Sequence, residues 1–151
     1  MPIFWICQCR HAEGLPCAII WRMTQNDAVT HWQKRAASEL KAARILFETK
    51  ESDMYGEVLF HCHLALELAL KAQYIVEKDT AAPFTHDLNE LADTLEGDRD
   101  QDERGAFEEI TNFAILSRYG DEKWFASKAT KLNAKKWLEK TEQILSTLFN
   151  T

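Results

Sequence analysis

Residues Met54–Val76 read MYGEVLFHCHLALELALKAQYIV, and this stretch decides the fold. It is apolar nearly all round; after Glu57 its only carboxylate and ammonium are Glu67 and Lys71. A helix of that kind is buried in a core or a membrane. Histidines, Glu67 and Lys71 interrupt it too early for a bilayer span of about 20 clean residues. The stretch therefore reads as the central helix of a soluble bundle. A charged pair inside such a helix must find partners, because burying an unpaired charge is costly. That makes the pair the place to look for function.

Helical period continues on both sides. Upstream, Trp32, Ala36, Leu40, Ala43 and Phe47 recur at spacings of three and four, which predicts a helix over about Gln25–Thr49. Thr24 with Asp27 forms a capping-box variant at its start. Lys50–Asp53 is a polar turn, with Ser52 or Asp53 available to cap a second helix over about Met54–Glu77. Asp79–Thr85 is a loop containing Pro83. A short helix follows over His86–Glu96, with Thr85 as candidate N-cap and Gly97 as its stop. Asp98–Arg104 (DRDQDER) reads as a solvated link. A fourth helix runs over about Ala106–Tyr119, burying Phe107, Ile110, Ala114 and Ser117, or Phe113 and Leu116, with Gly120 placed as its C′ residue. Ser127 is the candidate cap of a last helix ending near Phe149, with Leu138, Ile144, Leu145 and Leu148 inward. Short connections make successive helices antiparallel. The fold class is all-α: an up-and-down bundle of four long helices plus one short one.

Composition agrees. A chain of 151 residues is one domain with room for a real core. Five Gly and three Pro leave little punctuation for a many-stranded fold. The net charge of -6 argues against a generally basic nucleic-acid-binding surface, though not against a local basic groove. Residues 1–22 stand apart: they show no helical period, and five of the first 21 are Cys or Trp. They lack the basic and apolar regions of a signal peptide. Met23 then opens MTQNDAVTHWQKR, which reads as a natural start, so residues 1–22 are an atypical extension whose translation an intact mass from the native host would decide. The domain proper is residues 24–149. Cysteine placement shows no disulfide framework, and a buried Cys62 suits a cytoplasmic location.

The chemistry-bearing residues are few. Glu67 and Lys71 stand at i, i+4 in the favourable order; they are either a simple helix pair, or one of them faces a groove or a dimer seam. His61 and His63 leave a helix on opposite sides, so they do not share a metal ion. His63 and Glu67 share a face, but two ligands do not make a site. Cys7, Cys9, His11 and Cys17 have gaps tighter than zinc sites use. No metal and no cofactor are expected. His86 opens a helix, where anions are welcome, although Thr85 and Asp87 also explain the segment as capping. Arg118, Tyr119, Lys123 and Trp124 together suit a phosphate and a stacked base; a cation at a helix C-terminus is also expected from the dipole alone. No phosphate-cradling glycine loop or nucleophile motif occurs.

HLALELALKA, then THDLNEL, then a helix ending in SRYG, in this order in a small helical chain, resembles the HEPN family (higher eukaryotes and prokaryotes nucleotide-binding domain). The resemblance covers roughly residues 27–149 and rests on Glu67, Lys71 and Ala72, on His86, Asp87 and Leu88, and on Arg118 and Tyr119. It implies a helical bundle that is commonly a homodimer. Many members are encoded beside a minimal nucleotidyltransferase in a two-component, toxin–antitoxin-like pair, and some are metal-independent ribonucleases. The ribonucleases carry an Arg, then four to six residues, then a His. Here no His follows His86, so neither Arg118 nor Arg99 nor Arg104 has one. The resemblance thus implies the noncatalytic branch: a module that binds nucleotide, RNA or a nucleotidyltransferase through Glu67, Lys71, His86, Arg118, Tyr119 and Lys123. The alternatives are a ribonuclease toxin with a displaced site and a purely structural dimeric interaction protein. No membrane partner is expected.

Overall fold

The computed structural model describes residues 24–120 and 122–149. The extension and its Cys7, Cys9, His11 and Cys17 lie outside the described residues. Among those described there are six α-helices and no strand: α1 (Gln25–Glu48), α2 (Tyr55–Lys78), α3 (Leu88–Asp93), α4 (Gln101–Tyr119), α5 (Glu122–Lys128) and α6 (Lys131–Phe149), with a 3-10 turn, Ser52–Met54, leading into α2. None of these helices is long and apolar enough to cross a membrane.

The architecture is the expected all-α bundle, and α2 is its axis. It packs against α1, α3, α4 and α6. Fourteen of its 24 residues are buried, far more than a helix with one solvent face can bury, so its all-round apolarity is accounted for. The most extensive contact is with α1, whose fully buried residues are Ala28, Ala36 and Ala43. Small side chains let two helix backbones approach closely. The Gln25 amide at the start of α1 donates to the Ile75 carbonyl near the end of α2 at 2.9 Å, as an antiparallel pair requires. Phe107, Ile110 and Phe113 from α4 and Trp137, Leu138 and Leu145 from α6 complete the core. Trp137 is 1% exposed; the sequence reading placed Leu138 inward and passed over Trp137 beside it.

Helix ends depart from expectation in instructive ways. The capping box at Thr24 is present in full. At α2, neither Ser52 nor Asp53 caps; the 3-10 turn feeds the helix directly, and its N-cap Met54 offers no side-chain acceptor. At α3 the cap is Asp87 rather than Thr85, its carboxylate accepting from the Asn89 and Glu90 N–H groups at 2.8 and 3.2 Å. The Thr85 hydroxyl instead accepts from the Asp87 N–H at 3.2 Å and donates to Glu90 at 2.6 Å. The charged link proves to be mostly helix. Asp100 accepts from the Glu103 N–H at 2.7 Å, and Asp102 and Glu103 complement the dipole of the first turn, so α4 starts at Gln101.

The largest change is at the C-terminal side. Ser127 caps nothing; its hydroxyl donates to the Trp124 carbonyl at 2.6 Å inside the additional short helix α5. Thr130 caps α6, accepting from the Asn133 N–H at 3.2 Å. Gly120 ends α4 in extended rather than left-handed backbone. Its reason is space: a Cβ there would strike the Leu116 carbonyl oxygen.

Candidate functional site

Glu67 and Lys71 are both buried, and the Lys71 ammonium donates to the Glu67 carboxylate at 2.7 Å. Behind it, the ammonium lies 6.0 Å from the Trp32 ring centroid of α1, where the ring's negative face adds to its stabilisation. Glu67 has a second partner. His86 Nδ1 sits 3.1 Å from each carboxylate oxygen, across the loop between α2 and α3. Facing a carboxylate, that nitrogen carries the proton, which leaves Nε2 as the ring's outward group.

His63, one turn before Glu67 on the same face, completes the group. Its Nε2 donates to the His86 carbonyl at 3.0 Å. Nδ1 is thereby left as a buried lone pair with no described partner. The Leu88 N–H, two residues on, finds the buried Thr111 hydroxyl of α4 at 3.3 Å. Thus Glu67 and His63 from α2 and Thr111 from α4 hold the His86-Asp87-Leu88 segment at both ends. His61, two residues from His63, turns the other way and pairs with Glu39 of α1 at 2.7 Å.

The electrostatics follow from these contacts. Burial pushes the Glu67 carboxyl up, but the hydrogen bonds and charges of Lys71 and His86 outweigh it and hold it below the ordinary glutamate value. Burial pushes His63 down; the Glu67 charge and the His86 hydrogen bond oppose this, and the His86 and Arg118 charges reinforce it. His63 is therefore a neutral ring at physiological pH. Burial also pushes the Cys62 thiol up to about 12, so it is inert as a nucleophile.

Arg118 approaches from the end of α4, its guanidinium 5.0 Å from the Phe60 ring centroid of α2. The Arg118 side chain is exposed, as is the His86 imidazole. Phe84, 98% exposed, stands edge-on to the His86 ring with centroids 6.0 Å apart. Tyr119, 86% exposed, follows Arg118. The structure therefore joins Glu67, Lys71 and His86 in one hydrogen-bonded group, with His63 holding the His86 carbonyl, and sets Arg118 over Phe60 of the same helix. Tyr119 shares no described contact with that group, and Lys123 is exposed on α5. Sequence reasoning missed Phe84 and Thr111. An aromatic beside Pro83 in a polar loop was the available signal for the first; nothing local marks the second.

A model of the HEPN domain matches residues 29–150. The chain belongs to the HEPN family. The Glu67–Lys71, His86-Asp87-Leu88 and Arg118-Tyr119 segments all lie inside the matched span. Among solved structures, this HEPN chain is similar to TT1696 from Thermus thermophilus, with a TM-score of 0.66 and 19% identity, over 81% of this chain and 96% of that one. At that identity the likeness speaks for the shared bundle alone. Nothing among curated proteins matches.

Proposed function

We propose that this HEPN protein is a noncatalytic binding module whose ligand is a nucleotide. The observation that carries the reading is the His86 side chain, pinned through Nδ1 to a buried Glu67–Lys71 pair, with Nε2 outward beside exposed Phe84 and with Arg118 exposed over Phe60 of α2. A guanidinium and an imidazole are phosphate partners; Phe84 and Tyr119 offer exposed rings for a base. Lys71 acts indirectly, since its charge is already matched by Glu67. It keeps the carboxylate ionised, and the carboxylate holds His86. Lys123 extends the cationic surface from α5. Calorimetry with ATP, GTP and short RNA tests this. Binding by wild type that is weakened at least tenfold in Arg118→Ala is the expected result; no binding by wild type, or equal binding by the variant, refutes it.

A second reading concerns protein partners. Ile115 and Leu116 are exposed on α4 near Tyr119, and adjoining apolar side chains at a surface favour a protein contact. On this reading the face takes a second copy of the chain or a minimal nucleotidyltransferase of a two-component, toxin–antitoxin-like system. Light scattering for the oligomeric state, and copurification from the native host, decide between them. The ribonuclease alternative has no support from chain order, because no His follows Arg118 to transfer the proton. Absence of RNA cleavage in metal-free buffer is the expected outcome.

A further inference from the structure

A cavity of about 230 Å³ opens between α2, α4, α5 and α6, on residues that the Glu67–His86 group does not use. We propose that it is a separate binding site for a small planar aromatic anion. Its floor is apolar: Leu59, Ile110, Phe113 and Trp137 line it and are all buried. Trp124 of α5 supplies a wall, half-buried and stacked on Phe113 with ring centroids 6.1 Å apart and planes 28° from parallel. A flat ring extends such a stack at little entropic cost, because the aromatic side chains are already held.

The polar groups set the ligand's character. Glu109 at the rim is neutralised by Lys136 at 3.2 Å. Lys128, the other charged lining residue, has no described ion-pair partner, so the cavity's unmatched charge is positive. Asn133 donates its amide N–H to the Lys128 carbonyl at 3.0 Å, leaving its Oδ1 as an acceptor for a ligand donor. Asn112 brings an exposed amide from the opposite helix, α4. The volume lies below the ~300–1,000 Å³ of pockets for drug-sized ligands. It admits one ring system with one short substituent, which excludes dinucleotides and RNA strands. The oxyanion that meets Lys128 is either a carboxylate or a phosphate.

Side-chain amide NMR and calorimetry with indole-3-acetate and phenyl phosphate, against indole and phenol as uncharged controls, test the site. The expected result has at least one anion shifting the Asn112 and Asn133 amide signals, and its neutral control binding about tenfold more weakly. Whichever anion binds identifies the oxyanion. Lys128→Gln, at a rim position where folding is not at stake, removes the preference for the anion. Trp124→Ala weakens charged and neutral probes alike. Arg118→Ala changes neither, which separates this site from the nucleotide reading above. Failure of both anions to move the two amides, or unchanged anion preference in Lys128→Gln, overturns the proposal.

Discussion

Replacing Glu67 by Met tests whether the buried pair holds the site together. The change keeps the side chain's length and removes its charge. Lys71, its side chain 9% exposed, then keeps an ammonium inside the bundle with no carboxylate. Breaking a buried pair from one side costs about 3–5 kcal/mol. The Trp32 face at 6.0 Å remains and recovers part of this, so the lower end, about 3 kcal/mol, is expected. The roughly 125 described residues unfold with an entropy of about 260 cal/mol/K, so Tm falls by about 11 °C. Far-UV circular dichroism melts and urea unfolding at neutral pH measure it. The double variant Glu67→Met, Lys71→Met removes both charges and fills the same space. It returns to within about 1 kcal/mol of wild type. His86 is freed in both variants, so the nucleotide binding proposed above stays lost in the double variant even as stability recovers. A single variant that loses less than about 1 kcal/mol, or a double variant no better than the single, refutes the argument that Glu67 and Lys71 exist for each other.

The same geometry fixes other outcomes. Because His63 is depressed from its ordinary 6.5, the unfolded chain takes up a proton that the folded chain refuses; stability falls as pH drops below about 6.5, and His63→Leu flattens that slope in pH-dependent urea titrations. Glu67 is depressed from its ordinary 4.5, so its contribution is complete above that value and disappears on further acidification, an acid limb that Glu67→Met lacks. Gly56→Ala sets a Cβ against the Phe125 ring of α5; the fold survives, but Phe125 and its neighbour Trp124 shift, read as changed Trp124 emission with the other tryptophans replaced by Phe. Asp87→Ala removes the carboxylate that satisfies two N–H groups of α3 and costs about 1 kcal/mol in denaturant unfolding.

The bundle was legible because its signals are local and periodic. The Ala36–Ala43 stripe, the all-round apolarity of α2 and the Thr24–Asp27 box each act within a few turns of chain. Helix starts at Asp87, Asp100 and Thr130 were harder. Several residues in each neighbourhood can cap, and the winner is decided by where the next element packs. Trp137 was passed over because an aromatic among lysines reads as exposed, whereas the bundle covers it in space.

For the site, the sequence by itself established that Glu67 and Lys71 share one helix face; it read His86 as the start of a helix, whereas α3 begins at Leu88 behind the Asp87 cap. It also established that no histidine follows Arg118. Spacing along one helix is enough for the first, and chain order for the last. That His86 meets Glu67, that His63 holds the His86 carbonyl, and that Thr111 receives the Leu88 N–H are contacts between residues 19 to 23 apart in the chain. Only the tertiary structure decides these, because a buried charge or backbone group takes whichever partner packing brings within hydrogen-bond reach.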